Sequence, residues 1–427
     1  MTIRTSHFRW VIVGLLFLIS VVNYIDRASI SYAIQSIAHE FHLSESNTGF
    51  ILGAFGIGYA LTTVLGGMAA DHYGAKRTLT LSIFLWSVAT LLTGLASGFM
   101  MVFISRILLG VAEGPSFPSV SRTISDWLPE HERARALSFA LISVPLSLAI
   151  SGPIASQLVL LFTWRGAYFI LTLLALIWIP IWWMLFDDRP SQSRYINPIE
   201  LNLIQQKSSI QSGVQEDKSL WKVLFFNRTL LANNWAFFVY GFYLFFFMTW
   251  LPTYLSTKFH LNLTQVGIYS MLPWLFAGGM MWAVGFISDA IFKKTKNLRL
   301  SRTYPIFFSQ LLSSACVIPV IFLTDLNTVM FFLSLAIGFS MSTGACFYAV
   351  NVDLAKERAG TALGMMNTFF ALSGFLAPSI TGLIVSLTLD YNAVFYLLTG
   401  LSFSSAMLVF FLHNSRPMTH KSIVPLR

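Results

Sequence analysis

Long apolar stretches recur along nearly the whole chain and restrict what it can fold into. Each has about 20 residues, the length that an α-helix needs to cross the hydrocarbon core of a bilayer. Only 11% of the residues are charged, against about 25% in soluble domains. We therefore predict an all-α membrane protein with twelve transmembrane helices, at roughly residues 10–32, 48–70, 78–98, 101–123, 136–161, 166–186, 229–256, 264–291, 303–323, 327–350, 359–387 and 391–413.

The basic residues are distributed unevenly between the predicted loops. Most of the 27 Lys and Arg residues fall in loops on the side of the N-terminus. The loops of the opposite side contain Arg165 and Lys258. The positive-inside rule assigns the basic side to the cytoplasm, so we expect both termini there. The net charge of +9 is then a topology signal and predicts no nucleic-acid partner.

The remaining chemistry-bearing residues indicate no enzyme. Cys316 and Cys346 both lie in apolar stretches, which predicts neither a disulfide framework nor a metal site. No nucleophile–base set and no phosphate-binding loop is evident, so we expect no catalytic residues and no cofactor. We do not interpret the apolar start of the chain as a secretory signal, because no small-residue cleavage site precedes the NYIDR segment.

One long polar interval divides the apolar stretches into six and six. It contains Asn197 and Pro198, which are typical of an N-cap and of the first residue of a short helix. We predict an N-terminal six-helix bundle over 1–187 and a C-terminal six-helix bundle over 229–427. Between them we predict a cytoplasmic linker over 188–228, which includes the short helix.

A short motif recurs at matching positions in the two halves. The chain reads GGMAADHYGAKR after the second stretch and GFISDAIFKK after the eighth, and both place Gly and Asp four residues apart. Gly allows close helix approach, and the Asp can interact with a neighbouring helix end or with an Arg of the next loop. Such six-span repeats occur in transporters. We predict a conformational role for Gly67, Asp71, Gly74, Lys76 and Arg77.

These features together resemble the major facilitator superfamily. GGMAADHYGAKR is similar to its signature between spans 2 and 3, with His72 and Ala75 where basic residues are usual. The closest resemblance within it is to the anion:cation symporter family, which includes bacterial sugar-acid and D-galactonate transporters, sialin and the vesicular glutamate transporters. The resemblance covers essentially the whole chain and implies the major facilitator fold. It rests on NYIDRASIS and SRILLGVAEGPSFPS, with support from DWLPEHERARA, FTWRGAYF, DDRPSQSRYINPIE and FFFMTWLPTYL.

Four ionisable side chains lie clearly within predicted spans, namely Asp26, Arg27, Arg106 and Glu113. A charge at the bilayer centre costs at least about 2.5 kcal/mol, so these groups should face a cavity or each other. Arg106 and Glu113 are seven residues apart and therefore share one helix face. Two acids and two bases form a neutral set, which predicts pairing or an exchange of partners.

The chemistry suggests a role for each of these charges. A guanidinium offers two parallel hydrogen bonds to a carboxylate and keeps its charge, so Arg27 is the predicted substrate anchor. Asp26 and Glu113 are the predicted proton-coupling residues. Arg106 either binds substrate or mainly keeps Glu113 ionised. The resemblance implies the same roles for the two acids and for Arg27. Two static ion pairs are the alternative, which desolvation makes less favourable.

Uncharged residues complete the predicted substrate site. The Tyr59 hydroxyl can bind a substrate oxygen, and its position resembles that of a substrate-binding Tyr in sugar-acid members, although packing is an equal alternative. Asn367 is a polar candidate in the eleventh span, with Tyr348 and Asn351 as alternatives in the tenth. The chain reads ALSG where sugar-acid members tend to have NLAG, and SVP where a substrate-binding Gln is expected. These departures indicate a substrate less polar than a hexonate.

The sequence therefore predicts proton-coupled uptake of a small organic anion, a sugar acid or another carboxylate, by alternating access. We expect a monomer in the lipid bilayer of a bacterial inner membrane. An exporter or anion exchanger of the same fold is the first alternative, indicated by SLAISGPIAS, which is similar to a Gly-Pro motif of drug and antiporter families. A helix kink at Pro145 and Pro153 is the alternative explanation of this segment. A non-transporting membrane sensor is the second alternative, and it would require an appended soluble domain or an extended tail.

Overall fold

The computed structural model describes residues 6–205, 227–355 and 359–413. Within these ranges the chain is almost entirely helical and contains no strand, which confirms the predicted all-α class. Contacts between residues divide the chain into two compact units. The first comprises Met1–Gln211 and Leu261–Ile268, and the second comprises Ser212–His260 and Tyr269–Arg427.

The α-helices follow one another along the described parts of the chain. In the first half of the chain they are α1 (Phe8–Phe41), α2 (Glu45–Tyr73), α3 (Ala75–Gly94), α4 (Phe99–Glu113), α5 (Ser116–Trp127), α6 (Glu130–Leu185) and α7 (Pro198–Gln205). In the second half they are α8 (Arg228–Thr249), α9 (Leu251–Phe259), α10 (Leu263–Tyr269), α11 (Met271–Thr295), α12 (Tyr304–Val320), α13 (Leu326–Ser342), α14 (Gly344–Ala355), α15 (Ala359–Thr388) and α16 (Asn392–Leu412).

Ten helical stretches of the described chain are long and apolar enough to cross a membrane, or eleven if the bent pair Glu45–Thr63 and Leu65–Tyr73 forms one span. Glu130–Leu185 has 56 residues, so a straight helix would be about 84 Å long against a hydrocarbon core of about 30 Å. Its backbone leaves the helical region at Thr163, where φ is 63°. The stretch therefore contains both the fifth and the sixth predicted spans.

Hydrogen bonds link the residues just after the break at Thr163 to the ends of two neighbouring helices. Glu40, near the end of α1, accepts hydrogen bonds from Trp164 Nε1 at 2.8 Å and from Arg165 Nη1 at 2.7 Å. Arg165 Nη2 also donates to the carbonyl of Ala96, just after α3, at 3.0 Å. A β-branched residue at positive φ is strained, and these contacts hold the turn in place.

The short helix α7 begins where the sequence predicts it. Its first residue is Pro198, and Asn197 Oδ1 accepts the backbone N–H of Glu200 at 2.9 Å, which is N-cap geometry. Residues 206–226 of the predicted linker lie outside the described residues. So do both chain termini, which we expect in the cytoplasm.

One buried carboxylate joins α7 to the start of α1. Glu200 has no exposed surface and accepts Arg9 Nη1 at 2.8 Å and the backbone N–H groups of Phe8 and Arg9 at 3.0 and 3.1 Å. The hydroxyl of Ser6 also donates to it. Since the first N–H groups of a helix lack intrahelical partners, Glu200 supplies the acceptor that α1 needs. Arg9 also donates to Glu132 on α6, with Nε at 2.7 Å from Oε2.

The charge of Glu200 depends on these hydrogen bonds. Burial by itself raises the pKa of the Glu200 carboxyl, but the donors of Ser6 and Arg9 outweigh burial and hold the pKa below its ordinary value. A carboxyl with a lowered folded-state pKa stabilises the fold above its unfolded-state pKa of about 4.3. That contribution is lost as the pH falls through the folded-state pKa.

We predict that Glu200→Ala destabilises the protein by about 3 kcal/mol at neutral pH, because it leaves a buried Arg9 short of one partner. The measurement is the apparent unfolding temperature of the protein in detergent at a series of pH values. The difference from wild type should shrink as the pH falls below about 4. Glu130→Ala, which removes an exposed carboxyl from the first turn of α6, is the matched control. Equal unfolding temperatures for both variants would refute the anchor.

Candidate functional site

The four charged residues predicted from the sequence lie in the interior of the first unit. Asp26 and Arg27 are on α1, and Arg106 and Glu113 are on α4. All four side chains are buried, with at most 4% of each residue exposed. All four charged groups of the predicted cluster are therefore shielded from solvent.

Arg27 is paired with Glu113. Its Nε and Nη2 atoms lie 3.0 and 2.6 Å from the same oxygen, Glu113 Oε2. Nη2 also donates to Asn23 Oδ1, one turn earlier on α1, at 3.3 Å. Glu113 Oε1 has no hydrogen-bond partner among the described residues. The carboxylate thus binds the guanidinium through a single oxygen, and the pair does not use its full bonding capacity.

Arg106 makes no direct ion pair with Glu113. Seven residues correspond to about 10.5 Å along a helix axis, and Glu113 is engaged with Arg27. Arg106 Nη2 donates instead to the backbone carbonyl of Arg27 at 3.3 Å. Its Nε and Nη1 atoms are buried without a hydrogen-bond partner among the described residues. Arg106 can therefore favour the ionised form of Glu113 only through space.

Asp26 has a neutral partner. Its Oδ2 atom accepts a hydrogen bond from Thr90 Oγ1 on α3 at 2.5 Å, and Oδ1 has no hydrogen-bond partner in the described part of the chain. No Arg or Lys of the described residues lies within 4.0 Å of its carboxylate. Although Asp26 and Arg27 are adjacent in sequence, the structure gives the two acids different partners. Sequence reasoning did not single out Thr90.

Aromatic rings enclose the guanidinium of Arg27. Its central carbon lies 4.6 Å from the ring centroid of Tyr24, 4.4 Å from that of Phe55 and 5.2 Å from that of Tyr59. Such contacts attract a cation to the ring face. The half-buried Tyr59 is therefore next to the predicted substrate anchor, and its ring has a packing role there. Tyr24 and Phe55 were not predicted.

Glycines allow α2 and α4 to come close beside this cluster. A Cβ atom on Gly110 would collide with the Phe55 carbonyl and lie 2.7 Å from the Tyr59 nitrogen. A Cβ atom on Gly58 would likewise collide with the Ile107 carbonyl. Small residues permit this backbone approach between membrane helices. The approach sets the distance between the aromatic rings of α2 and the charges of α4.

The uncharged candidates of the second half lie in the second unit. Asn367 is half-buried on α15. On α14, Asn351 is fully buried and its Nδ2 donates to the carbonyl of Phe347 at 3.1 Å. Tyr348 is half-buried on the same helix and packs edge-on against Phe237 at 5.7 Å. Asn351 Nδ2 also lies 3.0 Å from Met366 Sδ on α15, whereas Asn351 Oδ1 has no hydrogen-bond partner among the described residues.

The expectation that the glycines of the repeated motif allow close helix approach is wrong for Gly67 and Gly285. A Cβ atom on Gly67 would meet only the Pro118 side chain at an ordinary 3.8 Å, and one on Gly285 would meet nothing within 4 Å. The close approach is made by the preceding residue, Gly66, whose Cβ would collide with Pro115. The i,i+4 spacing cannot show which of two adjacent glycines faces the neighbouring helix.

The acidic residue of the motif forms an ion pair in each half of the chain. Asp71 Oδ1 lies 2.6 Å from Arg122 Nη1, on α5. Asp289 Oδ1 lies 2.9 Å from Arg302 Nη1, just before α12. The first Asp therefore pairs with a neighbouring helix end, and the second with an Arg of the next connection. Both arrangements were among the sequence expectations.

The basic end of the motif binds the end of α6. Gly74 has a φ of 86°, and a Cβ atom there would lie 2.6 Å from the Asp188 carboxylate. Lys76 donates its backbone N–H to Asp188 Oδ1 at 2.8 Å and its Nζ to Asp187 Oδ1 at 2.9 Å. Arg77 is exposed. Gly74 is required both by its backbone conformation and by the carboxylate beside it.

Consecutive apolar helices with buried, partly unpaired charges define a polytopic membrane protein of the transporter class. A family model described as the Major Facilitator Superfamily matches residues 16–378, and again 299–426. The chain belongs to this superfamily and is therefore a transport protein, not an enzyme.

Curated relatives are similar over almost the full length. The chain is 31% identical to a hexuronate transporter of Bacillus subtilis, with 92% of each chain covered. It is 33% identical to a probable sulfoacetate transporter of Cupriavidus necator, over 92% of this chain and 90% of the relative. It is also 33% identical to a probable galactarate/D-glucarate transporter of Bacillus subtilis, over 91% of this chain and 88% of the relative.

Solved structures support the fold. A bacterial homologue of the human lysosomal transporter Spinster, inward-facing and occupied, aligns with a TM-score of 0.74 at 17% identity, covering 95% of this chain and 94% of that one. A D-xylose–proton symporter aligns with a TM-score of 0.73 at 13% identity, covering 95% and 99%. At these identities the likeness concerns the fold alone, and it confirms the predicted major facilitator fold.

We predict that Gly110→Ala separates α2 from α4 and lowers the unfolding free energy by about 1–3 kcal/mol, as overpacking does. The measurement is the apparent unfolding temperature in detergent. Gly14→Ala on α1 is the control, because its Cβ would meet nothing within 4 Å and Ala favours a helix over Gly. If both variants unfolded at the wild-type temperature, the close contact at Gly110 would be wrong.

Proposed function

We propose that this chain is a secondary transporter that carries a small organic anion into the cell together with protons. The observation that supports this most directly is the buried Arg27, whose Nε and Nη2 donors both engage Glu113 Oε2. The Arg27 guanidinium is suited to binding a carboxylate, and here it binds the carboxylate of Glu113. A substrate anion can replace that internal partner.

Exchange of partners at Arg27 couples the two ions. A substrate carboxylate that takes the guanidinium leaves Glu113 without its nearest positive charge. An isolated carboxylate in a buried site is costly, so Glu113 then binds a proton. By linkage, anion binding promotes proton binding and the converse, and release of one promotes release of the other. Asp26, next to Arg27, is a second proton-binding carboxyl, and Arg106 keeps the site attractive to anions.

The relatives support a carboxylate-bearing substrate. Their names specify hexuronate, sulfoacetate and galactarate or D-glucarate. In this chain the two segments that depart from sugar-acid members contribute hydroxyls already bonded to their own helices. Ser143 Oγ donates to the Ala140 carbonyl, and Ser373 Oγ donates to that of Phe370. We therefore favour a compact acid with few hydroxyls, with Tyr59 as its uncharged contact beside Arg27.

The remaining assignments follow from the same proposal. The transporter works by alternating access as a monomer in a bacterial inner membrane, with the six-helix bundles over 1–187 and 229–427 joined by the cytoplasmic linker. The basic loops face the cytoplasm. The contacts of Asp71 with Arg122 and of Lys76 with Asp187 lie at exposed or half-buried positions, where they can form and break during the cycle.

The first prediction of this proposal concerns the two carboxyls. Asp26→Asn and Glu113→Gln should abolish accumulation driven by a pH gradient while leaving some counterflow exchange, because each variant keeps a polar group but cannot exchange a proton. Proteoliposomes with an imposed gradient and labelled sulfoacetate or D-glucuronate provide the measurement. Asp325→Asn, at an exposed N-cap, is the control. Symport would be contradicted if uptake by the wild-type protein did not depend on the pH gradient. It would also be contradicted if both variants accumulated substrate normally.

The second prediction concerns the anchor. Arg27→Ala should weaken binding of the same two probes at least tenfold, because hydrogen bonds to a charged group contribute about 1.5–3 kcal/mol. Arg27→Lys should retain part of the affinity, since it keeps the charge and loses the planar pair of donors. The protein in detergent is titrated with each probe and its stabilisation is measured. Unchanged affinity in Arg27→Ala would show that Arg27 is not the anion anchor.

A further inference from the structure

We propose that Thr90 is a positioning residue that allows Asp26 both to hold and to release a proton in the interior of the first unit. The proposal rests on the proton-coupling role of Asp26 set out above and assigns to it a partner that the sequence did not indicate.

The contact between the two residues is short and buried. Thr90 Oγ1 lies 2.5 Å from Asp26 Oδ2, and the residues are 1% and 2% exposed. Oδ1 has no hydrogen-bond partner among the described residues. The hydrogen bond from Thr90 Oγ1 is therefore the one that the described residues give to the Asp26 carboxyl group. A buried carboxylate is normally paired with a positive charge as well. Because the partner is the uncharged hydroxyl of Thr90, it affects how readily Asp26 gains and loses a proton.

The charged and titratable groups near Asp26 do not replace this partner. Arg27 follows it on α1, Arg106 and Glu113 act on it from α4, and Tyr168 acts from α6. Neither Arg comes within ion-pair distance of the Asp26 carboxylate. Arg27 is committed to Glu113 instead. The two acids of the cluster are thus held by different chemistry.

A hydroxyl can serve a carboxyl group in both protonation states. Towards the carboxylate, Thr90 donates its hydrogen to Oδ2. When a proton from the aqueous phase binds Oδ2, the new O–H donates to Oγ1, and the hydroxyl hydrogen of Thr90 turns to another acceptor. The carbonyl four residues earlier, that of Trp86, is the usual acceptor for a helical Thr. Thr93 and Ser87 on the same helix donate to such carbonyls at 3.0 and 2.8 Å.

A guanidinium has no such versatility. It has donors only, so it favours the carboxylate and opposes protonation. Glu113 must therefore lose Arg27 before it can bind a proton, whereas Asp26 can be protonated with its partner in place. On this basis Asp26 exchanges protons without rearranging the site, and Glu113 exchanges them only when substrate takes Arg27. Removing the hydroxyl costs the carboxylate more than the acid, because the hydrogen bond to a charged group is the stronger one.

The test is infrared difference spectroscopy of the reconstituted full chain, titrated with pH in the absence of substrate. The carbonyl band that Asp26→Asn removes reports protonation of Asp26. In Thr90→Val this band should move to higher frequency, because its hydrogen bond is lost, and its midpoint should move to higher pH by about one unit, a tenfold change in proton affinity. Thr90→Ser should restore both values.

Thr93→Val is the matched control, since Thr93 is equally buried on α3 and its hydroxyl contacts the neutral Ser105 at 2.9 Å. Its Asp26 band should stay at the wild-type frequency and midpoint. A Thr90→Val spectrum identical to wild type, an equal change in Thr93→Val, or no band that depends on Asp26 would each overturn the proposal. The proposed function fails separately, if gradient-driven uptake of sulfoacetate and D-glucuronate is absent in wild type.

Discussion

The buried contact between Arg27 and Glu113 holds opposite charges where water is scarce, and the helices around it are arranged accordingly. Removing one charge would leave the other isolated at high cost. The aromatic rings of Tyr24, Phe55 and Tyr59 lie against the guanidinium, and Gly110 allows the helix of two of these rings to come close. The contact is thus supported from α1, α2 and α4, yet it leaves Glu113 Oε1 unpaired. In the proposed function, this one-oxygen contact lets a substrate anion exchange with Glu113 at Arg27.

The two acids of the cluster illustrate how the partner decides what a buried carboxyl can do. Glu113 is paired with a permanent cation, so in the proposed cycle its protonation depends on what else binds Arg27. Asp26 is held by the hydroxyl of Thr90, which accepts as well as it donates. Adjacent residues on one helix therefore belong to different hydrogen-bonding systems. This difference gives the proposed symport its order, because only one of the two acids senses the substrate directly.

Acidic side chains also accept hydrogen bonds at the starts of two helices. Glu200 takes the free N–H groups at the start of α1 and pairs with Arg9, and Asp188 takes the N–H of Lys76 at the start of α3. In both places an acidic side chain from a distant segment satisfies donors that a helix cannot satisfy itself. Such contacts hold α7 and the segment after α6 against the starts of α1 and α3.

Hydropathy and local charge determined the class of protein, the order of the helices and the four buried charges, because a charge in an apolar run is visible without knowing its neighbours. The sequence also located the N-cap at Asn197. It could not show that Arg27 rather than Arg106 pairs with Glu113, or that Asp26 depends on Thr90, 64 residues away. Nor could it show which of Gly66 and Gly67 faces a neighbouring helix. Tertiary structure decided these points, since hydrogen bonds form between groups that folding brings within about 3 Å, and neither spacing nor composition records that distance.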